Sequence, residues 1–374
     1  MPDGSRGSQE DLDASERWVG RIAGFFSKWG LRLVVGYAVG ILGAFVALHL
    51  NIPLPWFLGA LLFCLIAAVL NAPVQQPRLL SVPVRAVLGV AIGASFTPAL
   101  LGQFGGMIGS LILLVPFMVM IIGTGTVFFS RYAGFDRPTA FFCAVPGGLT
   151  DMVTMGTDAG ANPRIVTLIQ ATRVLMIVAL VPFWFQWTDG RSIGGLLPPG
   201  VHLSDFGFVD AAVLAVLGAS GWLLARRIGL AGAPLVGPMI LSGLAHASGL
   251  TSAKVPVELL IFAQITLGIM LGAQFRGVTW KEFSATLIWG IAFGIVLLAL
   301  TAIVSLGVSH LTGFNSASVL LAYAPGGQGE LNLLGFLLGL DVAFIALHHI
   351  VRLAIVIFGA QIVFASNKTW RSGS

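Results

Sequence analysis

Two acidic residues and two arginines hold most of what this sequence can do chemically. Asp151 and Glu330 each stand three residues after the last glycine of a triplet, Pro146-Gly147-Gly148 and Pro325-Gly326-Gly327. Arg173 and Arg352 follow them at equal distances, inside long apolar runs. A carboxylate at membrane depth is costly unless it is paired or used, so both acids fit the binding of a proton or a sodium ion that drives transport. An acid in the first turn of a helix is also ordinary helix-end chemistry. Arginine suits bidentate capture of a carboxylate or phosphate. The structural alternative is an internal salt bridge from Arg173 or Arg352 to Asp151 or Glu330, and such a pair can open when substrate arrives.

Lesser candidates surround these four: Gln328, Asn332, Thr150, Gln170, His348 and His349. His349 holds the place that Gln170 holds earlier in the chain, one turn before an arginine. It can be read as a proton relay, but a packed, hydrogen-bonded histidine is the stronger expectation. Adjacent histidines on a helix point about 100° apart, so His348-His349 makes a poor metal clamp. His49, His202, His246 and His310 are scattered, and Cys64 and Cys143 lie within apolar runs. Neither a disulfide framework, nor a metal site, nor any other cofactor is expected.

The elements that must hold these residues are membrane spans. Charged residues make up 9% of the chain, against about 25% in soluble proteins, and 57% of residues are hydrophobic. Runs of spanning length occur at 31–50, 54–71, 84–102, 106–130 and 163–187, and again at 206–226, 233–249, 256–275, 283–309 and 342–365. Residues 1–30 form a polar tail followed by a basic, aromatic stretch from 15 to 30, read as an interfacial amphipathic helix. Residues 188–205 are the linker between two membrane repeats, 31–187 and 206–365, and 366–374 form a tail.

The two sets share one register. Gly89, Gly93, Pro146, Asp151 and Arg173 match Gly268, Gly272, Pro325, Glu330 and Arg352 at an offset of 179 residues. This is a duplication. The glycines spaced four apart, Gly89/Gly93 and Gly268/Gly272, predict close helix packing.

Loop charge sets the orientation, because Lys and Arg collect on the cytoplasmic side. If each Pro-Gly-Gly stretch spans the membrane, Arg226, Arg227, Arg276 and Lys281 fall outside. If each is a re-entrant hairpin, only Arg191 and Lys254 do, and the second copy is inverted. From Arg137 to Gly147 is ten residues, about 15 Å of helix, which is half of a ~30 Å hydrocarbon core. The expected fold is therefore an all-α polytopic membrane protein of two inverted-topology repeats. Each repeat has about five transmembrane helices and one re-entrant or broken hairpin, with both chain termini cytoplasmic. Inverted repeats with helices broken at mid-membrane are the build of secondary transporters. Gly147-Gly148 and Gly326-Gly327 would open half-helices whose N–H groups face a ligand.

The Pro-Gly-Gly-x-x-Asp/Glu segments, the later arginines, and the second-span patterns Trp56 to Ala60 and Leu235 to Pro238 resemble the AbrB-duplication membrane protein family. Its members also carry the labels ammonia monooxygenase and AbrB-family regulator, and the resemblance covers about residues 31–365. It implies either regulation of gene expression or a monooxygenase-like activity, and neither follows from the residues. No long polar segment remains to form a DNA-binding domain, so no nucleic-acid partner is expected, and the site fits transport better than enzymatic oxidation. The expectation is a bacterial inner-membrane secondary transporter of a small anionic organic solute, coupled to H⁺ or Na⁺. Its partners are the lipid bilayer, that solute and that ion, with a homodimer left open. A membrane-embedded regulator and a monooxygenase-like protein are the alternatives.

Overall fold

The computed structural model describes residues 30–96, 104–189, 198–230 and 232–366. The basic stretch expected as an interfacial helix lies outside the described residues, as do residues 190–197 of the expected linker and 367–374 of the tail. The first half contains α1 (Gly30–His49), α2 (Pro55–Val69), α3 (Ser81–Gly93), α4 (Phe104–Arg131), α5 (Arg137–Ala144), α6 (Leu149–Asp158) and α7 (Pro163–Asp189). The second contains α8 (Phe208–Arg227), α9 (Ala233–Ala247), α10 (Val257–Gly272), α11 (Trp280–Thr312), α12 (Ser316–Tyr323), α13 (Gln328–Leu337) and α14 (Val342–Ser366). The order of long and short helices in the first half recurs in the second.

Seven of these helices are long and apolar enough to cross a membrane: α1, α4, α7, α8, α10 with its 3₁₀ extension to Phe275, α11 and α14. The apolar runs 54–71 and 233–249 predict full spans, but α2 and α9 have only 15 residues each, about 22 Å at ~1.5 Å per residue. Their ends are fixed by backbone that a right-handed helix cannot continue. Leu54 and Asn71 have φ of 50° and 60° on either side of α2, and Gly232 and Gly249 have φ of 70° and 74° around α9. The run 84–102 likewise predicts a longer helix than α3, which starts at Ser81 and ends at Gly93.

Packing exchanges partners between the halves. α2 lies on α10 and α9 on α3, while α4 lies on α14 and α11 on α7. Glycines make the first exchange tight. A Cβ on Gly89 or Gly93 would run into the carbonyl oxygens of Leu235 and Met239, and one on Gly268 or Gly272 into those of Phe57 and Leu61. The expectation of close packing at these glycines holds. Side-chain-free backbone contact of this kind is how helices associate where lipid removes the hydrophobic drive. Gly89→Val or Gly268→Val should therefore lower stability by at least the ~1–3 kcal/mol that overpacking costs, read as a fall in the unfolding temperature of the detergent-purified protein. Gly307→Ala, with nothing within 4 Å of the added carbon, should leave it unchanged or slightly raised.

Two groups of helices result. One is α1–α3 with α8–α10, and the other is α4–α7 with α11–α14. The short pairs α5/α6 and α12/α13 belong to the second group, and α13 reaches across to α3.

Candidate functional site

Each short pair is a helix interrupted by its Pro-Gly-Gly triplet. α5 opens on Asp136, whose carboxylate accepts from the N–H of Thr139 at 2.8 Å, and α12 opens on Asn315, which accepts from Ala317 and Ser318 at 2.9 and 3.3 Å. Val145 and Ala324 then turn extended, with ψ of 121° and 124°, and end the first half-helix of each pair. Proline in the next position cannot donate to a helix. Gly148 and Gly327 cap the second half-helices without a side chain. Each second half-helix runs back along the first. The N–H of Asn162, just beyond α6, donates to Thr139 Oγ1 at the start of α5 at 2.9 Å. An added Cβ on Gly156 would lie 3.2 Å from Phe142, and one on Gly335 would lie 3.6 Å from Leu321.

The arginines hold the breaks shut. Arg173 Nη1 donates to the Val145 carbonyl at 3.1 Å, and Arg352 Nη1 donates to the equivalent Ala324 carbonyl. Arg352 Nη2 also reaches the Gly326 carbonyl at 3.3 Å. One turn earlier, Gln170 Nε2 donates to the carbonyls of Phe142 and Val145 at 2.7 and 2.9 Å. His349 Nε2, in the matching place, donates to the Leu321 carbonyl at 3.0 Å. Both guanidinium groups are buried, at 3% and 2% exposure. Among the described residues neither forms an ion pair, so the structural alternative, salt bridges to Asp151 and Glu330, is not formed. Backbone carbonyls freed by the broken helices take their place as partners. The carboxylates instead fold back over their own half-helix starts. A Cβ on Gly148 would meet Asp151 Oδ2 at 2.6 Å, and one on Gly327 would collide with Glu330 Oε2.

The two tips meet at one cavity of about 310 Å³. Its wall includes Pro146, Gly147, Gly148, Asp151 and Arg173 from the first half, with Gly326, Gly327, Gln328, Glu330 and Arg352 from the second. The opposite wall comes from the other group of helices: Arg85 of α3, Pro234 and Leu235 of α9, and Leu267 and Leu271 of α10, with Gln274 just beyond. Three arginines face two carboxylates, so with all five charged the wall carries a net positive charge. Among the described residues, Gln170 Oε1, Gln274 Oε1, Gln328 Nε2 and both arginine Nε atoms are buried polar atoms with no partner within the protein. Buried polar atoms are seldom left unpaired, and all five of these belong to residues of this wall.

Three of the expected site residues stand behind the wall. Pro325 is buried within the break. Asn332 donates through Nδ2 to the Gln328 carbonyl at 2.7 Å and pairs with His349 Nδ1 at 3.1 Å. With Nε2 donating to Leu321, His349 is the packed, hydrogen-bonded residue expected of it. His348 is likewise engaged, with Ser110 Oγ at 2.8 Å and the Phe344 carbonyl at 2.7 Å. Among the described residues no three His, Cys, Asp or Glu side chains converge as metal ligands. Arg85 and Gln274 escape the sequence reading because neither has a counterpart of its kind in the other repeat. Arg85 sits one turn into α3, held by Ser81 Oγ, where it counts as a loop charge.

Away from the cavity, Arg164 at the start of α7 bonds Glu282 at the start of α11 at 2.8 Å. The hydroxyl and N–H of Thr279 hold the Glu282 carboxyl below its ordinary range, with Arg164 a smaller contribution.

The chain matches a family model described as transition state regulatory protein AbrB over residues 56–366. It is 26% identical over 345 residues to "Uncharacterized protein YhjN" of Bacillus subtilis (strain 168), a match covering 86% of this chain and 89% of that protein. It is 24% identical over 335 residues to "Putative regulator AbrB" of Escherichia coli (strain K12), covering 87% and 92%.

Proposed function

The chain belongs to the family described as transition state regulatory protein AbrB, and we propose that it is a secondary transporter of a small, anionic organic solute, coupled to H⁺ or Na⁺, in a bacterial inner membrane. The observation that carries this is the cavity of about 310 Å³ between the two Pro-Gly-Gly breaks, with an excess of arginine on its wall. Its volume lies at the low end for ligand sites, which favours a small solute. Its place is where carriers built of repeats bind substrate, at the meeting of broken helices.

The architecture proposed with it is an inverted pair of repeats. Each half offers five continuous helices and one pair of half-helices that doubles back. If such a pair is re-entrant and the shorter helices α2, α3 and α9 also cross, five crossings leave the second half upside down relative to the first. Each wall of the cavity belongs to one of the two helix groups, so sliding of the hairpin-bearing group against the other would open the cavity to either side in turn. Both termini then lie in the cytoplasm.

The relative named as a regulator supports a second function, a membrane protein that binds the same solute and acts on gene expression without moving it. Reconstitution separates the two. Organic acids that raise the unfolding temperature of the purified protein should accumulate in proteoliposomes when a proton or sodium gradient is imposed. Binding without flux under both gradients would instead favour the regulator.

A further inference from the structure

We propose that the ion coupled to this transport is the proton, and that Arg173 and Arg352 stand permanently where a sodium ion would have to be bound. This rests on the transport function proposed above and narrows its ion. In carriers with broken helices, sodium is ligated by unwound backbone carbonyls and by the C-terminal ends of half-helices. Here such oxygens include those of Phe142 and Val145 at the first tip and of Leu321, Ala324 and Gly326 at the second. Each accepts a hydrogen bond from a buried side chain. Gln170 serves Phe142 and Val145, Arg173 serves Val145, His349 serves Leu321, and Arg352 serves Ala324 and Gly326. The contacts to Phe142/Leu321 and to Val145/Ala324 repeat at both tips with the same register, so a cationic side chain already holds a carbonyl at each break. A guanidinium stays charged at all working pH values, and a metal cation on the same oxygens would sit against it.

The side-chain oxygens on the cavity wall are the carboxylates of Asp151 and Glu330 and the amide oxygens of Gln170, Gln274 and Gln328, distributed over both helix groups. A hard cation wants several oxygens at once, whereas a proton needs one. Glu330 is the half-buried carboxylate and Asp151 the exposed one, which assigns the proton to Glu330. The charged groups around it are Arg85 on α3, Asp151 on α6, Arg173 on α7 and Arg352 on α14, and the α9 and α10 walls contribute none to the cavity. Protonation of Glu330 leaves the three guanidinium charges facing one carboxylate, which strengthens the site for an anion as the proton arrives.

The test needs no identified solute. Thermal unfolding of the full-length purified protein is followed while NaCl replaces choline chloride at constant ionic strength, and separately while pH is varied. The wild type should show no sodium-specific shift, and its unfolding temperature should depend on pH in a way that Glu330→Gln removes. Arg352→Ala, which removes the guanidinium from the Ala324 and Gly326 carbonyls, should become saturably stabilised by Na⁺. Should that variant not fold, Arg173→Ala asks the same of the first tip. A saturable, sodium-specific stabilisation of the wild type would overturn the proposal while leaving the carrier standing. Failure of both arginine variants to gain a sodium response would overturn the placement of the guanidinium groups, and a pH response unchanged in Glu330→Gln would overturn the assignment of the proton. Absence of solute flux would bear on the carrier alone.

Discussion

Arg352→Ala is expected to destabilise the protein by about 1–3 kcal/mol, the cost of leaving one carbonyl acceptor without its donor. The Gly326 carbonyl loses its side-chain donor, while the buried Ala324 carbonyl loses the guanidinium and keeps the N–H of Gly326 at 2.9 Å. The matching change Arg173→Ala should cost less, because Arg173 serves the Val145 carbonyl alone, and that oxygen keeps the Gln170 amide at 2.9 Å and the Gly147 N–H at 3.0 Å. Arg352→Lys should fall between wild type and alanine, since one ammonium cannot reproduce the fork that spans two carbonyls. The order of unfolding temperatures in detergent checks this: wild type, then Arg173→Ala, then Arg352→Ala. Equal losses at the two arginines would show that the carbonyl contacts do not set the effect. Because Arg352→Ala damages the hairpin itself, its loss of transport cannot be separated from misfolding.

Glu330→Gln gives the cleaner functional result. Glutamine is nearly the same shape, and at the third position of a half-helix it can still reach back to the helix start, so folding should be retained. The residue then neither ionises nor carries a proton. Gradient-driven flux in proteoliposomes should be abolished, while wild-type and variant proteins reconstitute equally. Asp151→Asn should have the smaller effect, because Asp151 is exposed and Glu330 is half-buried. Full flux in Glu330→Gln would remove this carboxylate from the mechanism.

The sequence carries the breaks at Pro146 and Pro325 plainly, because proline and paired glycines act locally and need no knowledge of neighbours. The shared register of Asp151/Glu330 and Arg173/Arg352 is equally legible, and it leads to ten of the residues on the cavity wall. The partners of the arginines are not legible. At one depth a guanidinium can meet a carboxylate or a freed carbonyl, and side-chain order cannot choose between them. The structure chooses carbonyls at both tips. Arg85 and Gln274 are hidden for a related reason. They come from the opposite helix group, and no repeat partner marks them. The shortness of α2 and α9 is missed because hydropathy runs through Leu54 and Leu70 without registering the left-handed backbone at Leu54 and Asn71.

The most direct test of a carrier is whether its cavity opens to both sides of the membrane. Cys64 and Cys143 are both buried and can be replaced by alanine, leaving Gln328→Cys on the cavity wall as the single thiol. Membrane-impermeant thiol reagents applied separately to right-side-out and inside-out vesicles should each label this position, and a solute that binds the cavity should slow labelling from both sides. Labelling from one side alone, whatever the gradient or solute, would contradict transport through this cavity.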